Sequence, residues 1–257
     1  MNYILITGAS KGIGLAIARG WAGRGYNVLL VARNPTELES AAAAIRNDFK
    51  VDAQWRSEDL GDAGAPQRLL DWCSTSGFAV QGLVNNAGYG SSGAFADLPL
   101  DGQLNMMQVN MNAVVALTHL FLPELKKHPK AWLLNIASSA AYQSVPFLSI
   151  YAASKAFVLT FSRGLRYELR KTPVSVTCVC PGATDTNFAD RAQVGVKALK
   201  AAEKVNMTPE AVGEAAVKAT LAGRAELVTG VINKVGAFLV WLLPKGLAEK
   251  TAAGLYE

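Results

Sequence analysis

The chain has 257 residues, 51% of them hydrophobic and 18% charged, enough apolar material for a sizeable core and too apolar for a disordered chain. Its net charge of +5 comes from scattered Lys and Arg, with no dense basic run, which argues against a nucleic-acid partner and suits an anionic cofactor. The 3 cysteines argue against a disulfide framework and fit a reducing, cytoplasmic setting, and the 2 histidines lack Cys or His companions at ligand spacing, so no metal site is expected.

In chain order, Tyr3 to Ile6 reads as a short apolar strand, beginning too early to leave room for a signal peptide. Thr7-Gly8-Ala9-Ser10-Lys11-Gly12-Ile13-Gly14 follows, then an amphipathic stretch to about Arg24. Strand, glycine turn and helix form an arrangement in which bare backbone approaches a pyrophosphate and a helix N-terminus attracts its charge. The spacing is G-x-x-x-G-x-G, and a plain glycine-rich turn gives the same pattern. Asn27 to Ala32 is an apolar second strand ending at Arg33, and Asn34-Pro35-Thr36-Glu37 opens a helix with a cap and an N1 proline. Where an NAD site usually has a carboxylate, the chain has Ala32-Arg33, and Arg33 with Lys11 suits a 2′-phosphate.

Further strands are expected at Val51 to Arg56, Gln81 to Val84, Ala131 to Ala137, Val174 to Cys180 and Glu226 to Thr229. Helices are expected at about 62–76, 100–127 and 149–171, with another starting at Thr208-Pro209-Glu210. Asn110 lies inside the long helix, where Asn is a poor helix former, so either it faces solvent or something holds it there. Residues 184–207 read as a polar cover. Cys178 and Cys180 alternate on a strand and face one side, in the core. Alternating strands and helices imply an α/β fold, one Rossmann-type doubly wound parallel sheet with helices on both faces, in a single domain. No apolar run approaches the ~20 residues that span a bilayer.

Ser138 to Lys155 carries the chemistry. Tyr151 and Lys155, four apart on a helix, share a face, and an ammonium beside a phenol favours the tyrosinate. Tyr151 then becomes a proton donor near neutral pH, with the Ser138 hydroxyl at a strand end placed to hold a substrate oxygen. The same spacing also suits a simple surface pair.

Together these motifs resemble the short-chain dehydrogenase/reductase family in its compact form, from Asn2 to about Gly230. They are T-G-x-x-x-G-x-G (Thr7 to Gly14), Asp59 after a strand, N-N-A-G (Asn85 to Gly88), Asn110, Ser138, Y-x-x-x-K (Tyr151 to Lys155) and Pro181-Gly182. The resemblance implies Tyr151 as general acid/base and Ser138 as hydrogen-bond donor to the same substrate oxygen. Lys155 would lower the Tyr151 pKa and bind the nicotinamide ribose, and Asn110 would hold a water linking Lys155 to solvent. The NADP(H) cofactor would run over Gly8, Ser10, Lys11, Gly12, Ile13 and Gly14, with Arg33 at its 2′-phosphate. Asp59 and Leu60 would meet the adenine, and Asn86, Ala87 and Gly88 the adenine ribose. Tyr151, Lys155, Pro181, Gly182, Thr184 and Thr186 would meet the nicotinamide half. Thr184 stands where the family often has Val.

The resulting expectation is an NADP(H)-dependent carbonyl reductase or alcohol dehydrogenase, with a catalytically inactive nucleotide-binding regulator on the same fold as the alternative. An epimerase would need a longer C-terminal substrate domain, and an enoyl reductase usually spaces its Tyr and Lys wider. Tyr89, Tyr142, Val145, Phe147 and Phe188 are the pocket candidates, an apolar set that suits a hydrophobic ketone, aldehyde or acyl chain. Pairing through the helices at 100–127 and 149–171 would give a homodimer or homotetramer. Residues 1–230 form the expected catalytic domain and 231–257 an apolar tail. Its run Val235 to Leu243 is expected to pack on the same domain or a partner subunit, with a substrate lid and peripheral membrane contact left open.

Overall fold

The computed structural model describes residues 2–184 and 206–256. Seven strands form one parallel sheet: β1 (Asn2–Thr7), β2 (Asn27–Ala32), β3 (Ala53–Ser57), β4 (Ala79–Asn85), β5 (Ala131–Ile136), β6 (Val174–Cys180) and β7 (Glu226–Val228), in spatial order β3-β2-β1-β4-β5-β6-β7. The chain reverses its direction of travel across the sheet at β1, which pairs with β2 on one side and β4 on the other. Such a switch point opens a crevice at the carboxyl ends of the strands.

Strand side chains alternate between two cores, as the period of 2 requires. Ile4, Ile6, Val28, Leu30, Trp132 and Leu134 pack under α1 (Gly12–Ala22) and α2 (Pro35–Phe49). Tyr3, Leu5, Leu29, Val31, Leu83 and Leu133 pack on the other face with α3 (Ala65–Thr75) and α5 (Ala113–Leu125). Buried on both faces, these strands read as continuous apolar runs. One polar thread crosses this interior: Asn85 Nδ2 donates to Thr118 Oγ1 (3.1 Å) and Asn135 Oδ1 (2.9 Å), and Asn135 Nδ2 donates to Ser162 Oγ (2.9 Å). It ties β4, β5 and the flanking helices in one register. Cys178 and Cys180 are both fully buried on β6.

Asn34 caps α2, its Oδ1 accepting from the Thr36 and Glu37 amides at 3.0 and 3.2 Å. The expected helix 100–127 runs without a gap from Leu100 to Leu125, but not as one regular α-helix: α4 (Leu100–Met107) passes through a π turn (Gln108–Asn112) into α5. α6 (Ser149–Glu168) carries Tyr151 and Lys155 on its buried face. α7 (Pro209–Leu221) crosses α1 closely, because a Cβ at Gly213 would meet Ala16 Cβ at 2.7 Å. The tail forms α8 (Val231–Leu242) and α9 (Lys245–Tyr256). Ala248 and Ala252 of α9 are buried, whereas the large apolar side chains of α8 are mostly exposed. No described helix is long and apolar enough to cross a membrane. Residues 185–205, most of the expected polar cover, lie outside the described residues.

Gly213→Ala should lower stability by about 1–3 kcal/mol, the usual cost of overpacking a tight contact. Urea unfolding measures this directly, and an unchanged midpoint would mean that α1 and α7 do not meet as described.

Candidate active site

The carboxyl ends of β1, β4, β5 and β6 converge on the crevice. After β1 the glycine turn is locked to the end of β4. Thr7 Oγ1 donates to Val84 O (3.2 Å) and accepts from the amides of Asn86 and Ala87, both at 3.0 Å. Asn86 Nδ2 returns two bonds, to Thr7 O (2.9 Å) and Gly8 O (3.2 Å). Gly8 and Gly12 sit at φ +66 and +57, in the left-handed region that glycine tolerates. A Cβ on Gly14 would lie 2.2 Å from Gly8 O, so only a bare backbone lets the turn close. Ile13 stands between them in the first turn of α1. No side chain caps α1, in contrast to α2. A glycine turn at a helix N-terminus that no side chain caps fits the pyrophosphate of a dinucleotide.

Arg33 is exposed at the end of β2, and among the described residues its guanidinium has no ion-pair partner. Lys11 Nζ reaches Glu37 Oε1 at 3.3 Å. The Ser10 hydroxyl, and after it the Lys11 ammonium, hold the Glu37 carboxyl below the usual carboxylate range. Reading the sequence gave Glu37 only a helix-opening role; it also gathers the two polar side chains of the glycine turn. Beyond β3, Leu60 is buried, and the exposed Asp59 accepts from the Gly61 amide at 2.9 Å.

The second half of the site forms around Lys155. Its side chain is only 5% exposed, with Nζ donating to Ile136 O at 3.0 Å. Nζ stands 5.8 Å from the centre of the Tyr151 ring, which is itself buried. Burial pushes the Lys155 pKa down from 10.5 to about 8. A Cβ on Gly88 would meet Asn110 Oδ1 at 3.0 Å and Lys155 Nζ at 3.2 Å, so this glycine brings the β4 loop against both.

Asn110 is not on an exposed face. It is buried in the π turn, an element frequent at functional sites. Its Oδ1 accepts from the Tyr89 amide (3.1 Å), and its Nδ2 donates to Tyr89 O (2.9 Å) and Ser154 Oγ (3.0 Å). Ser154 Oγ donates in turn to Tyr151 O at 2.7 Å. Thr7, Asn86 and Ser154 thus brace the site through bonds between distant segments, which sequence spacing does not reveal.

Ser138 follows β5, its Oγ accepting from the Ala140 amide at 3.1 Å. The Ser139 amide donates to Pro181 O at 2.7 Å, which sets Ser138 beside Pro181 and Gly182. Thr184 Oγ1 donates to Gly182 O at 3.1 Å, while Thr186 and Phe188 lie outside the described residues. Val145 packs with Met106, Leu148 and Tyr151, whereas Tyr89 donates to Asn105 Oδ1 (2.7 Å) and Tyr142 is bonded to Glu226. Phe147, at φ +63, lines a small cavity with Phe95, Leu98, Met106 and Ile150. These last four were missed in the sequence because they lie on separate loops and helices.

The family model for short chain dehydrogenases matches residues 2–195. The chain belongs to the short chain dehydrogenase family. It is 33% identical over 192 residues to a very-long-chain 3-oxoacyl-CoA reductase of Danio rerio, covering 73% of this chain and 61% of that protein. The chain therefore spans less than two thirds of that relative. It is 33% identical over 196 residues to a monensin polyketide synthase putative ketoacyl reductase of Streptomyces virginiae, covering 76% of this chain and 75% of that one. Among solved structures, a short-chain dehydrogenase from Sphingobium yanoikuyae in complex with NADPH superposes with a TM-score of 0.80 at 29% identity, over 96% of this chain and 95% of that one.

Because the folded pKa of Lys155 lies below its ordinary value, the unfolded chain binds more protons between about pH 8 and 10.5. The buried charge costs the folded state most below pH 8, and that cost fades as pH rises toward 10.5. Lys155→Met should therefore raise the melting temperature at pH 7, with the gain shrinking above pH 8. Calorimetry across this range tests the sign; a gain independent of pH would remove the buried ammonium as its cause.

Proposed function

We propose that the chain is an NADP(H)-dependent oxidoreductase that transfers a hydride between nicotinamide and a carbonyl or alcohol, acting as reductase on an apolar ketone or aldehyde, including 3-oxoacyl chains. The observation that carries this reading is the gathering of Ser138, Tyr151, Lys155 and Asn110 at the same strand ends as a glycine cradle. When bound, the cofactor supplies the hydride. Tyr151 gives its phenolic proton to the carbonyl oxygen as negative charge develops there. The Ser138 Oγ already accepts from Ala140, which leaves its own proton for that same oxygen.

Lys155 favours the tyrosinate through its charge and reaches the nicotinamide ribose. A pKa of about 8 lets it exchange protons near neutral pH. The Asn110 amide is committed to Tyr89 and Ser154, so any water it holds falls to its backbone. Gly8, Ser10, Gly12, Ile13 and Gly14 cradle the pyrophosphate. Asp59 and Leu60 border the adenine, Asn86 to Gly88 its ribose, and Pro181, Gly182, Thr184 and Thr186 the nicotinamide.

Two observations support NADP(H) over NAD(H): the exposed Arg33 where a carboxylate is absent, and Lys11 within reach of the same edge. The ketoacyl activities named for the relatives support an apolar substrate. Exposed Leu100, Leu104 and Val115 support self-association into a dimer or tetramer, and we place the enzyme in the cytoplasm.

Tyr151→Phe should abolish turnover and leave NADPH affinity nearly unchanged. Loss of reduced-cofactor absorbance over a panel of ketones, aldehydes and 3-oxoacyl thioesters measures it. No turnover by the wild type on any of them would reject the reductase reading, and substantial turnover by the variant would assign the proton to another group.

A charged hydrogen bond to phosphate contributes about 1.5–3 kcal/mol, so Arg33→Ala should weaken NADPH by roughly tenfold or more. NADH affinity should hardly change. Calorimetric titration decides, and equal wild-type affinity for both cofactors would overturn the preference.

A further inference from the structure

Among its described side chains, helix α8 carries most of its large apolar residues on the side away from the protein. Asn233, Gly236, Ala237 and Val240 form its half-buried inner stripe, at the i, i+3, i+4, i+7 spacing of one helix face. That stripe is anchored at the cofactor end of β6. A Cβ on Gly182 would lie 2.0 Å from Asn233 Nδ2, and the same nitrogen donates to Thr229 O at 2.9 Å. The opposite stripe is aliphatic: Val231 is 79% exposed, Ile232 63%, Val235 50%, Leu239 47% and Leu242 58%. A surface helix of a globular protein has these two stripes the other way round.

The charge along this stretch of sequence is of one sign. From residue 227 to residue 248 the sequence contains no Asp or Glu, and Lys234 and Lys245 lie within that stretch. We propose that α8 docks in the plane of an anionic phospholipid surface, its aliphatic stripe at the headgroup boundary and its lysines on lipid phosphates. Its 12 residues cover about 18 Å, so it lies on the bilayer and does not cross it. Pairing with a second copy is disfavoured, because it would bring Lys234 and Lys245 of two chains together with no acidic residue in the stretch to offset them. The docked face adjoins the site: α9 continues from α8, and its Ala252 packs with Tyr151, Val145, Leu148 and Met106. On the reductase reading, an apolar substrate dissolved in lipid then reaches the mouth without crossing water.

The test is sedimentation of the full chain with vesicles of phosphatidylcholine, with and without phosphatidylglycerol. The wild type should pellet with the anionic vesicles, and high salt should weaken the binding. Val235→Asp combined with Leu239→Asp and Leu242→Asp should lower the partition by about tenfold or more. Lys234→Gln and Lys245→Gln should each lower it roughly fivefold. These variants should keep their circular dichroism and their activity on a water-soluble ketone. A wild type that ignores anionic vesicles overturns the proposal, as does a triple variant that binds them equally well. If the wild type stays in the supernatant and the triple variant loses mass by light scattering, the face belongs to a second copy. Failure to reduce any ketone would strike the enzymatic reading and leave the vesicle result standing.

Discussion

An ammonium buried against a single backbone carbonyl is the constraint on which the candidate site turns. Lys155 gives up water for the Ile136 oxygen at 3.0 Å, and desolvation lowers its pKa to about 8. That cost is tolerated only where the surrounding structure holds the group in place. Here the surroundings come from four directions: the end of β5, the buried face of α6, the Gly88 loop after β4 and the π turn at Asn110. The Ile136 carbonyl and Gly88 are backbone and a bare glycine, so the Lys155 ammonium and the Asn110 amide fit where a larger side chain would close the space.

The other half of the crevice follows the same logic with glycine and threonine. Gly14 approaches Gly8 O so closely that no side chain fits, and Thr7 with Asn86 satisfies backbone groups left open where β1 and β4 diverge. The switch point thus becomes a rigid cradle, with its polar groups paired inside the protein and bare backbone turned to the crevice. Rigid placement matters because hydride and proton transfer depend on orientation.

The tail joins the Lys155 half of the site by a similar device. Gly182, two residues past the end of β6, receives Asn233, so one glycine lies at both the strand exit and the seat of α8. The fold therefore carries an apolar helix whose inner stripe is seated against the strand exit that borders the site.

The sequence by itself determined the sheet, the glycine turn and the Tyr151–Lys155 pair. Those signals are local: β2 and β6 are legible residue for residue, as an apolar run bounded by Asn27 and Ala32 and as an alternating stretch closed by Pro181. Only the tertiary structure decided what Asn110, Glu37, Gly88 and Asn233 do. Asn110 is an anomaly in the sequence; its burial, its bonds to Tyr89 and Ser154, and the π turn that aims it depend on segments 21 and 44 residues away. The apolar residues that line the small cavity are likewise scattered, among Phe95, Leu98, Met106, Phe147 and Ile150. Which face of α8 turns outward was equally hidden, since an all-round apolar run does not name its buried side until a contact such as Asn233 on Gly182 fixes the rotation of the helix. Periodicity and spacing report what a residue does with its chain neighbours; contacts between distant segments exist only once the chain has closed on itself.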